Sequence, residues 1–547
     1  MGHQLHGGTT TQQLIFDAFI SRKSQALHGV DIEVTVKGYR HTSVEGFEIT
    51  ATRSGNRVSA TVGLTLEHSL KYALNAISRW ISDGSQSELH LVDGPHFPIR
   101  GVVEGFYGQP WSHEQRLRAI EHFGDFNMNT YFIAPKDDPL QRFNWRSPFS
   151  DSFIAQADEL HRHGLAHGID FVACVSPGLS VRYSDEKDVQ AVVHRFQQLL
   201  AVGITHFALL WDDISWELSH PEDIAAYTTT AQAQADFSNK IWDAINESYD
   251  RVKLTVCPMQ YSGRGTEAYL VDLGRELKSR INIMWTGRSI ISEYLDISDA
   301  VIFDRSALRP ALYWDNFPVN DGSLQASLFI GPLRNREKGL HKYSSGLLSN
   351  PMVQFEASIL PLSTVGDYLW NTESYNPEES WEKALVDLFP HEGERTSLRA
   401  FFRTSLGSPV GGDPAPDLRK VFNAGVTAWR SGDMAQASAL FKDAGDEIIA
   451  HHEKLTSPDF SHQLLIAEIT PWLKKFKVGG EVLKGLGDLL LKCRFDAEKR
   501  AIIGAPESQS EIARLKEMIQ SERKNLFGDQ IEGPLNELAA ELRTYAS

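Results

Sequence analysis

Between residues 98 and 390 the sequence alternates short apolar segments with stretches of helical spacing. The apolar segments are VVEGFYG (102–108), TYFIAP (130–135), FVACVSP (171–177), FALLWDD (207–213), KLTVCPMQY (253–261), INIMWTG (281–287), ALYWDNFP (311–318) and GLLSNPM (346–352). Segments that are apolar throughout indicate parallel strands covered on both faces. Eight such strands with crossover helices close a barrel, so this region predicts an α/β fold of the (β/α)8, or TIM-type, barrel class.

The stretches between the strands carry helix boundary signals. SHEQRLRAIEHF begins with a capping-box pattern, in which Ser112 is followed by Gln115. SDEKDVQAVVHRFQQLLAVG has apolar residues along one helical face and stops at Gly203. These signals support crossover helices between the strands.

The regions on either side of the barrel have different patterns. In residues 1–97, GFEITATR and RVSATVGL alternate apolar and polar residues around a turn at SGN, which predicts a hairpin within a small α/β domain. In residues 391–547 the sequence passes a turn-rich segment, GSPVGGDPAPD, and is then helical in period with almost no strand signal. We therefore predict three domains: the small α/β domain (1–97), the barrel (98–390) and an all-helical bundle (391–547).

Charge and cysteine content narrow the possible partners. The 54 Lys and Arg residues against 71 Asp and Glu give a net charge of -17, which offers no general attraction for nucleic acid or for an anionic membrane. The three cysteines are far apart and form no CxxC pair, so neither a disulfide framework nor a cysteine zinc site is indicated. The start MGHQLHGGTTTQQ lacks the charged-then-apolar order of a signal peptide. We expect a cytoplasmic protein with reduced cysteines and with neither nucleic-acid nor membrane partners.

Polar and aromatic residues concentrate where the predicted strands end. In a barrel of this kind, residues just beyond the C-terminal ends of the strands converge on one mouth, where barrel enzymes have their sites. The residues at these positions are Gly105, Tyr107, Gly108, Lys136, Asp137, Asp138, Asp212, Asp213, Tyr261, Trp285, Thr286, Trp314, Asp315, Asn316, Asp321 and Asn350. Aromatic rings stack on sugar faces, and carboxylates and amides bind hydroxyl groups, so this mixture favours a carbohydrate site.

Each of these residue types also has a purely structural interpretation. Asp137 or Asp138 can cap the helix that follows, and Lys136 can be a solvated surface charge. A single tryptophan is more often a core residue than a sugar platform, and the glycines of EGFYG can serve only a tight turn. The concentration of these residue types at most of the strand ends favours the functional interpretation.

Asp212 and Asp213 form the most informative pair. Two neighbouring carboxyl groups resist simultaneous ionisation, so the pKa of one is expected to rise and that group to act as a general acid. Metal ligation or a helix cap is the alternative. Ordinary retaining hydrolysis needs acid and nucleophile on opposite faces of the sugar, roughly 5 Å apart, which adjacent residues do not suit. They suit one acid and one group that orients a nucleophile of the substrate, such as a 2-acetamido group.

Seven segments, taken in order over about residues 98–390, resemble glycoside hydrolase family 84, the O-GlcNAcases and related β-N-acetylglucosaminidases. These segments are RGVVEGFYGQPWSHEQR, NTYFIAPKDDP, VSPGLSVRYS, FALLWDDIS, INIMWTG, YWDNFPVND and SNPM. The flanking α/β and helical regions also look like the arrangement of bacterial members. The resemblance implies a retaining hydrolase that works through an oxazoline intermediate, without metal or cofactor.

The resemblance also implies roles for individual residues. Asp213 is similar to the general acid, which then serves as base for water, and Asp212 to the residue that binds the acetamido N–H. Tyr261 matches a tyrosine that bonds the acetamido group. The remaining implied substrate ligands are the pocket walls Trp285 and Trp314, Asn316 near the acetamido group, and Lys136, Asp321, Asn350 and the Gly105 carbonyl at the sugar hydroxyls. Family members commonly have an aromatic residue where this chain has Gly322, so the leaving-group preference is less well specified.

Three functions are compatible with these observations. The first is an exo-acting β-N-acetylglucosaminidase that removes terminal GlcNAc from an oligosaccharide or a glycoprotein, including from Ser or Thr. The second is a hexosaminidase that acts on other N-acetylhexosamine glycans, such as hyaluronan or cell-wall fragments. The third is a sugar-binding protein without turnover. The intact pair Asp212 and Asp213 argues against the third, because binding alone requires no protonatable acid.

Overall fold

The computed structural model describes residues 2–25, 27–247, 249, 251–496, 498 and 501–544. The chain divides into two compact units. The first comprises Met1–Phe317, Asn335–Val353 and Val365–Tyr375, and the second Pro318–Arg334, Gln354–Thr364 and Asn376–Ser547. The small α/β region and the barrel strands therefore belong to one unit, and the helical unit includes three parts of the predicted barrel region, 318–334, 354–364 and 376–390.

The N-terminal part of the first unit is a five-stranded sheet in the order β1-β2-β4-β3-β5. Its elements are β1 (Gln4–His6), α1 (Thr10–Arg22), β2 (Asp31–Gly38), β3 (Phe47–Ser54), β4 (Arg57–Leu64), α2 (Ser69–Asp83) and β5 (Glu88–Asp93). The predicted hairpin is confirmed, since β3 and β4 pair antiparallel across a turn in which Gly55 has a φ of 59°. Alternate residues of these strands are buried, as the period-two pattern predicted.

The barrel is closed by eight parallel strands. They are β6 (Ile99–Glu104), β7 (Thr130–Ile133), β8 (Asp170–Val175), β9 (His206–Leu210), β10 (Lys253–Cys257), β11 (Asn282–Trp285), β12 (Ala311–Asp315) and β13 (Ser344–Ser349). The last strand pairs with the first, with Gly346 opposite Ile99. Each strand overlaps one of the eight predicted apolar segments, so the predicted barrel is confirmed.

Helices connect most of these strands. They are α3 (His113–Asp125), α4 (Pro139–Arg142), α5 (Asp151–His167), α6 (Glu186–Leu200), α7 (Pro221–Ala226), α8 (Thr230–Asn246), α9 (Ala268–Glu276), α10 (Ile297–Ala307) and, after the last strand, α11 (Phe355–Trp370). The capping box predicted at Ser112 and Gln115 is formed. The connection from β12 to β13 differs from the pattern: residues 316–343, all of them described, contain two short 3-10 turns and no α-helix.

The inside of the barrel is filled by one apolar cluster. Its buried members are Val103, Phe132, Ala134, Val172, Cys174, Ala208, Leu210, Cys257, Met284, Leu312, Trp314 and Leu348. All three cysteines of the chain are free and buried, as predicted. Among the helices of the described residues, none has the length and apolar character needed to cross a bilayer.

The second unit is mainly helical. Its helices beyond α11 are α12 (Pro377–Leu388), α13 (Glu392–Phe402), α14 (Pro416–Arg430), α15 (Met434–Leu455), α16 (Gln463–Leu490), α17 (Ser508–Ser521) and α18 (Glu532–Glu541). A three-stranded sheet accompanies them, formed by β14 (Arg494–Asp496), β15 (Ala501–Gly504) and β16 (Leu542–Thr544). The prediction of an all-helical region missed this sheet, because strands of three or four residues are too short to show a period of two.

Candidate active site

The two neighbouring carboxylates lie just past the end of strand β9. The strand stops at Leu210, and Asp213 has a φ of 56°, in the left-handed region. Successive side chains of a regular strand point to opposite faces. This alternation does not apply to Asp212 and Asp213, because the strand has ended and Asp213 has a left-handed backbone conformation. Asp tolerates this conformation better than most residues. The guanidinium of Arg142 donates a hydrogen bond to the backbone carbonyl of Asp213 at 2.9 Å and so helps to hold the turn.

Asp212 is buried and paired with a lysine. Its carboxylate is 7% exposed, and its Oδ2 accepts a hydrogen bond from the ammonium of Lys136, which is 3% exposed. Lys136 is therefore not a solvated surface charge. The other oxygen, Oδ1, is buried and has no hydrogen-bond partner among the described residues. A buried oxygen left unsatisfied costs about 1–3 kcal/mol, so this atom is suited to accept an N–H from a ligand.

Asp213 has a different environment from its neighbour. Its side chain is exposed and accepts hydrogen bonds from two tyrosine hydroxyls, from Tyr107 to Oδ2 at 2.7 Å and from Tyr261 to Oδ1 at 2.9 Å. Both donors stabilise the ionised carboxylate. The pair therefore consists of one carboxylate held by an ammonium and one held by hydroxyl groups.

The pKa of Asp213 differs from the expectation drawn from the adjacent charges. Partial burial raises this pKa, but the hydrogen bonds from Tyr107 and Tyr261 and the charges of Lys136 and Arg142 outweigh burial, so the pKa is lowered. The expectation of a raised pKa on the acid is wrong for the free protein. It considered only the repulsion between two carboxylates and not the four donors and cations that surround this one.

Two residues of the site were not among the predicted site residues. Arg142 donates to the hydroxyl of Tyr107 at 2.7 Å as well as to the backbone of Asp213. The strand-end pattern includes Tyr107 without a role, and it does not extend to Arg142. A signal for Arg142 is present in the sequence, because Asp138 followed by Pro139 is a helix start and places the short helix α4 directly after a barrel strand.

A second group of predicted residues is joined by hydrogen bonds. Asn316 Oδ1 accepts from the indole N–H of Trp314 at 2.9 Å and from the amide of Asn350 at 2.9 Å. Asn350 Oδ1 in turn accepts from the backbone N–H of Gly105 at 3.2 Å. The ammonium of Lys136 lies 5.1 Å from the centre of the Trp314 ring. This contact connects the group to the ion pair with Asp212.

Gly105 provides a test of this arrangement. A Cβ atom at this position would lie 2.2 Å from Cζ2 of Trp314, so Gly105→Ala must move the indole or the backbone. We expect kcat/KM of the variant to fall about tenfold or more, because displacements near 1 Å in a site cost up to about 10²-fold. Gly38→Ala is the control, since a Cβ there meets no atom within 4 Å. Wild-type kcat/KM in Gly105→Ala would contradict the predicted roles of Gly105 and Trp314 in binding the sugar.

Three other strand-end carboxylates have structural roles. Glu104 is buried and accepts hydrogen bonds from Arg116 at 2.7 and 2.9 Å, which anchors the loop that follows β6. Asp315 forms a buried two-point ion pair with Arg336 at 2.6 and 2.8 Å. Asp138 caps α4 by accepting from the backbone N–H of Leu140 at 2.8 Å, so the capping interpretation is confirmed for this residue.

One predicted ligand, Trp285, is not brought into this group. Trp285 is 1% exposed and stacks on Phe303 of α10, with 4.9 Å between ring centres. Its neighbour Met284 points into the barrel, so Trp285 lies on the opposite face of the strand. The prediction that Trp285 forms a pocket wall is wrong; it is a core residue. Asp321 belongs to the second unit, and its role as a sugar ligand stays a prediction.

Comparison with known proteins shows similarity to one family of glycoside hydrolases. The β-N-acetylglucosaminidase family model matches residues 100–403. Protein O-GlcNAcase of Mus musculus is 31% identical over 291 residues, which is 52% of this chain and 31% of the mouse protein. The Rattus norvegicus protein of the same name is 31% identical over 274 residues, 49% of this chain and 29% of its own. The chain thus aligns with about a third of the length of these relatives.

Two solved structures are also similar. A mutant of the O-GlcNAc hydrolase of Thermobaculum terrenum has a TM-score of 0.75 and 29% identity, over 81% of this chain and 95% of that one. The protein described as CpGH84B has a TM-score of 0.80 and 22% identity, over 98% of this chain and 96% of that one. Because the identity to CpGH84B is only 22%, this similarity shows a shared fold and nothing more.

Proposed function

Because the chain belongs to the β-N-acetylglucosaminidase family, glycoside hydrolase family 84, we propose that it is an exo-acting β-N-acetylglucosaminidase that retains anomeric configuration. The family makes it a glycoside hydrolase acting on substrates that contain GlcNAc. The proposed substrates include GlcNAc linked to Ser or Thr of glycoproteins. This extension is supported by the name Protein O-GlcNAcase of the mouse and rat relatives.

One observation carries the proposed mechanism: the free Oδ1 of Asp212 next to Asp213. An acetamido N–H donated to this oxygen orients the acetamido group and increases the electron density on its carbonyl oxygen. Lys136 holds the other oxygen of Asp212 and so fixes the direction from which Oδ1 accepts. Placing the nucleophile in this way accounts for a large part of a rate enhancement, because a reaction within the bound substrate replaces an encounter with a second molecule.

In the first step the acetamido oxygen attacks the anomeric carbon while the bond to the leaving oxygen breaks. Asp213 gives its proton to that oxygen, the acetamido N–H proton passes to Asp212, and the acetamido group becomes an oxazoline ring. In the second step water attacks the anomeric carbon and gives a proton to Asp213, while Asp212 returns its proton to the ring nitrogen and the ring opens. This sequence needs Asp213 protonated at the start, although the free protein favours its ionised form.

Substrate binding supplies a way to raise the pKa of Asp213. Tyr261 donates to Asp213 in the free protein and is also the residue matched to the acetamido group by motif. If its hydroxyl turns to the acetamido carbonyl, Asp213 loses one of the donors that stabilise its charge. Exclusion of water by the sugar acts in the same direction. Binding and protonation are then coupled through one hydroxyl group.

The hydrogen bonds from the tyrosine hydroxyls lead to a prediction about the pKa of Asp213. Tyr107→Phe removes one hydrogen bond to Asp213, so we expect the pKa of Asp213 in the free protein to rise towards its ordinary value. The sign follows because the donor stabilises only the ionised form. The measurement is an NMR titration of protein labelled at aspartate Cγ, with the signal assigned by its loss in Asp213→Asn. The exposed Tyr343→Phe serves as control, and an unchanged pKa in Tyr107→Phe would contradict this account.

Hydrolysis of three aryl β-glycosides tests the proposed function. We expect the N-acetylglucosaminide to be cleaved about 10³-fold or more faster than the plain glucoside, which lacks the internal nucleophile. The galacto epimer of the N-acetyl sugar should be poor. Comparable turnover of both epimers would favour the broader hexosaminidase, and a preference for the plain glucoside would rule out substrate assistance. Release of GlcNAc from a Ser-linked glycopeptide, compared with hyaluronan fragments, then distinguishes the proposed substrates.

A further inference from the structure

A cluster of two histidines and one glutamate lies away from the candidate active site. Glu121 is near the end of α3, and His163 and His167 are near the end of α5. Each offers one ligand atom, and these atoms all lie within 4.8 Å of one another. The helices end where the next barrel strands begin, so this histidine cluster is at the end of the barrel opposite to Asp212 and Asp213.

The two histidines share one face of their helix. Residues four apart in an α-helix are neighbours on the surface, and the ring centres of His163 and His167 are 4.7 Å apart. Glu121 Oε1 lies 3.4 Å from Nε2 of His163. The separation is long for a hydrogen bond, and Nε2 of His163 is buried and meets no closer hydrogen-bond partner among the described residues. The nitrogen is therefore available to a ligand.

The carboxylate of Glu121 is already oriented by an arginine. Arg22 donates to Oε2 at 2.5 Å, which leaves Oε1 directed at His163. Carboxylates that bind metals commonly have such a second hydrogen-bonding partner. The positive charge of Arg22 is partly neutralised by a second carboxylate. Asp125 forms ion pairs with Arg22 at 2.8 Å and with Lys23 at 3.0 Å.

We propose that Glu121, His163 and His167 form a site for Zn²⁺ or a similar late first-row divalent cation. Two imidazoles and one carboxylate are ligands that Zn²⁺ prefers, and three protein ligands leave a position for water. The ion links α3 to α5 on the outside of the barrel and acts on stability. The site is separate from the proposed hydrolysis, for which no metal is invoked.

Zinc binding to the full chain, stripped with EDTA and dialysed, tests this proposal. Isothermal titration with ZnCl₂ should show a site that is weakened about tenfold or more in both His163→Gln and His167→Gln. His161→Gln is the matched control: it removes a histidine from the same helix but from another face, and should bind as the wild type does. Equal zinc affinity in the wild type and in a His163→Gln/His167→Gln double variant would overturn the proposal, as would no binding at micromolar zinc.

A second measurement guards against misfolded variants. Zinc should raise the thermal unfolding temperature of the wild type and of His161→Gln, but not that of Glu121→Gln or of the double variant. In EDTA all of these proteins should share one activity on the aryl N-acetylglucosaminide, because the cluster is far from the candidate active site. An anomalous difference peak about 2.0–2.2 Å from the three ligand atoms in zinc-soaked crystals supports the proposal, and a peak elsewhere overturns it.

Discussion

Asp213→Asn is expected to lower kcat/KM about 10²–10⁴-fold on substrates with poor leaving groups, because the departing oxygen no longer receives a proton. Aryl glycosides of acidic phenols should lose much less, since a phenolate leaves without protonation. The measurement is kcat/KM over a series of aryl β-N-acetylglucosaminides, and the slope against phenol pKa should become steeper in the variant. Asn is the appropriate replacement because it also tolerates the left-handed backbone at this position.

A second replacement checks that the loss is chemical. Asp213→Gly retains the backbone conformation and removes the whole side chain, so it should show the same dependence on the leaving group. Loss of a constant factor across the series in both variants would mean that Asp213 does not act as the proton donor.

Asp212→Asn is expected to slow every substrate, activated ones included, by about 10²–10³-fold, because formation of the oxazoline ring itself is impaired. It also leaves the buried ammonium of Lys136 without its counter-charge, which is expected to destabilise the protein by about 3–5 kcal/mol. The measurements are kcat/KM on an aryl glycoside of an acidic phenol and the free energy of unfolding in urea.

A double variant separates the two effects of Asp212→Asn. Asp212→Asn/Lys136→Met removes the unpaired charge and should recover much of the lost stability without recovering activity. If Asp212→Asn spared activated substrates as Asp213→Asn does, the roles assigned to the two carboxylates would be contradicted.

The barrel could be predicted because its strands are buried on both faces and so appear as unbroken apolar runs. The ends of the strands were less well predicted. FALLWDD was assigned to a strand up to Asp213, whereas β9 ends at Leu210. The run continues through Trp211, which is buried and still donates its backbone N–H to the carbonyl of Cys257 at 2.9 Å, although the strand has ended. Apolar character reports burial and not hydrogen bonding, so it cannot locate the last paired residue.

The same burial on both faces explains why one tryptophan was assigned wrongly. Trp285 and Trp314 both stand near strand ends, but Trp285 lies opposite Tyr313 in the register, so Trp314 joins the barrel interior and Trp285 packs against α10. Where both faces are apolar, the alternation that would tell inside from outside is absent. A shift of one residue in register decides which tryptophan can reach a ligand.

Contacts between distant parts of the chain were beyond sequence reasoning. Arg142 and Tyr107 are 35 residues apart, and their hydrogen bond exists only because successive barrel strands lie side by side. The lowered pKa of Asp213 depends on donors from three separate loops. Residue type and spacing identified most of the candidate site, while the charge state of its acid required the folded arrangement.

The left-handed turn at Asp213 has a consequence for anyone who wishes to transfer this chemistry to another scaffold. Grafting the dipeptide Asp-Asp onto an ordinary strand would splay the two carboxylates to opposite sides. A functional graft needs a left-handed backbone conformation at the second aspartate and a guanidinium, here from Arg142, that donates a hydrogen bond to its carbonyl. The backbone turn and this hydrogen bond must be transferred together with the two acids.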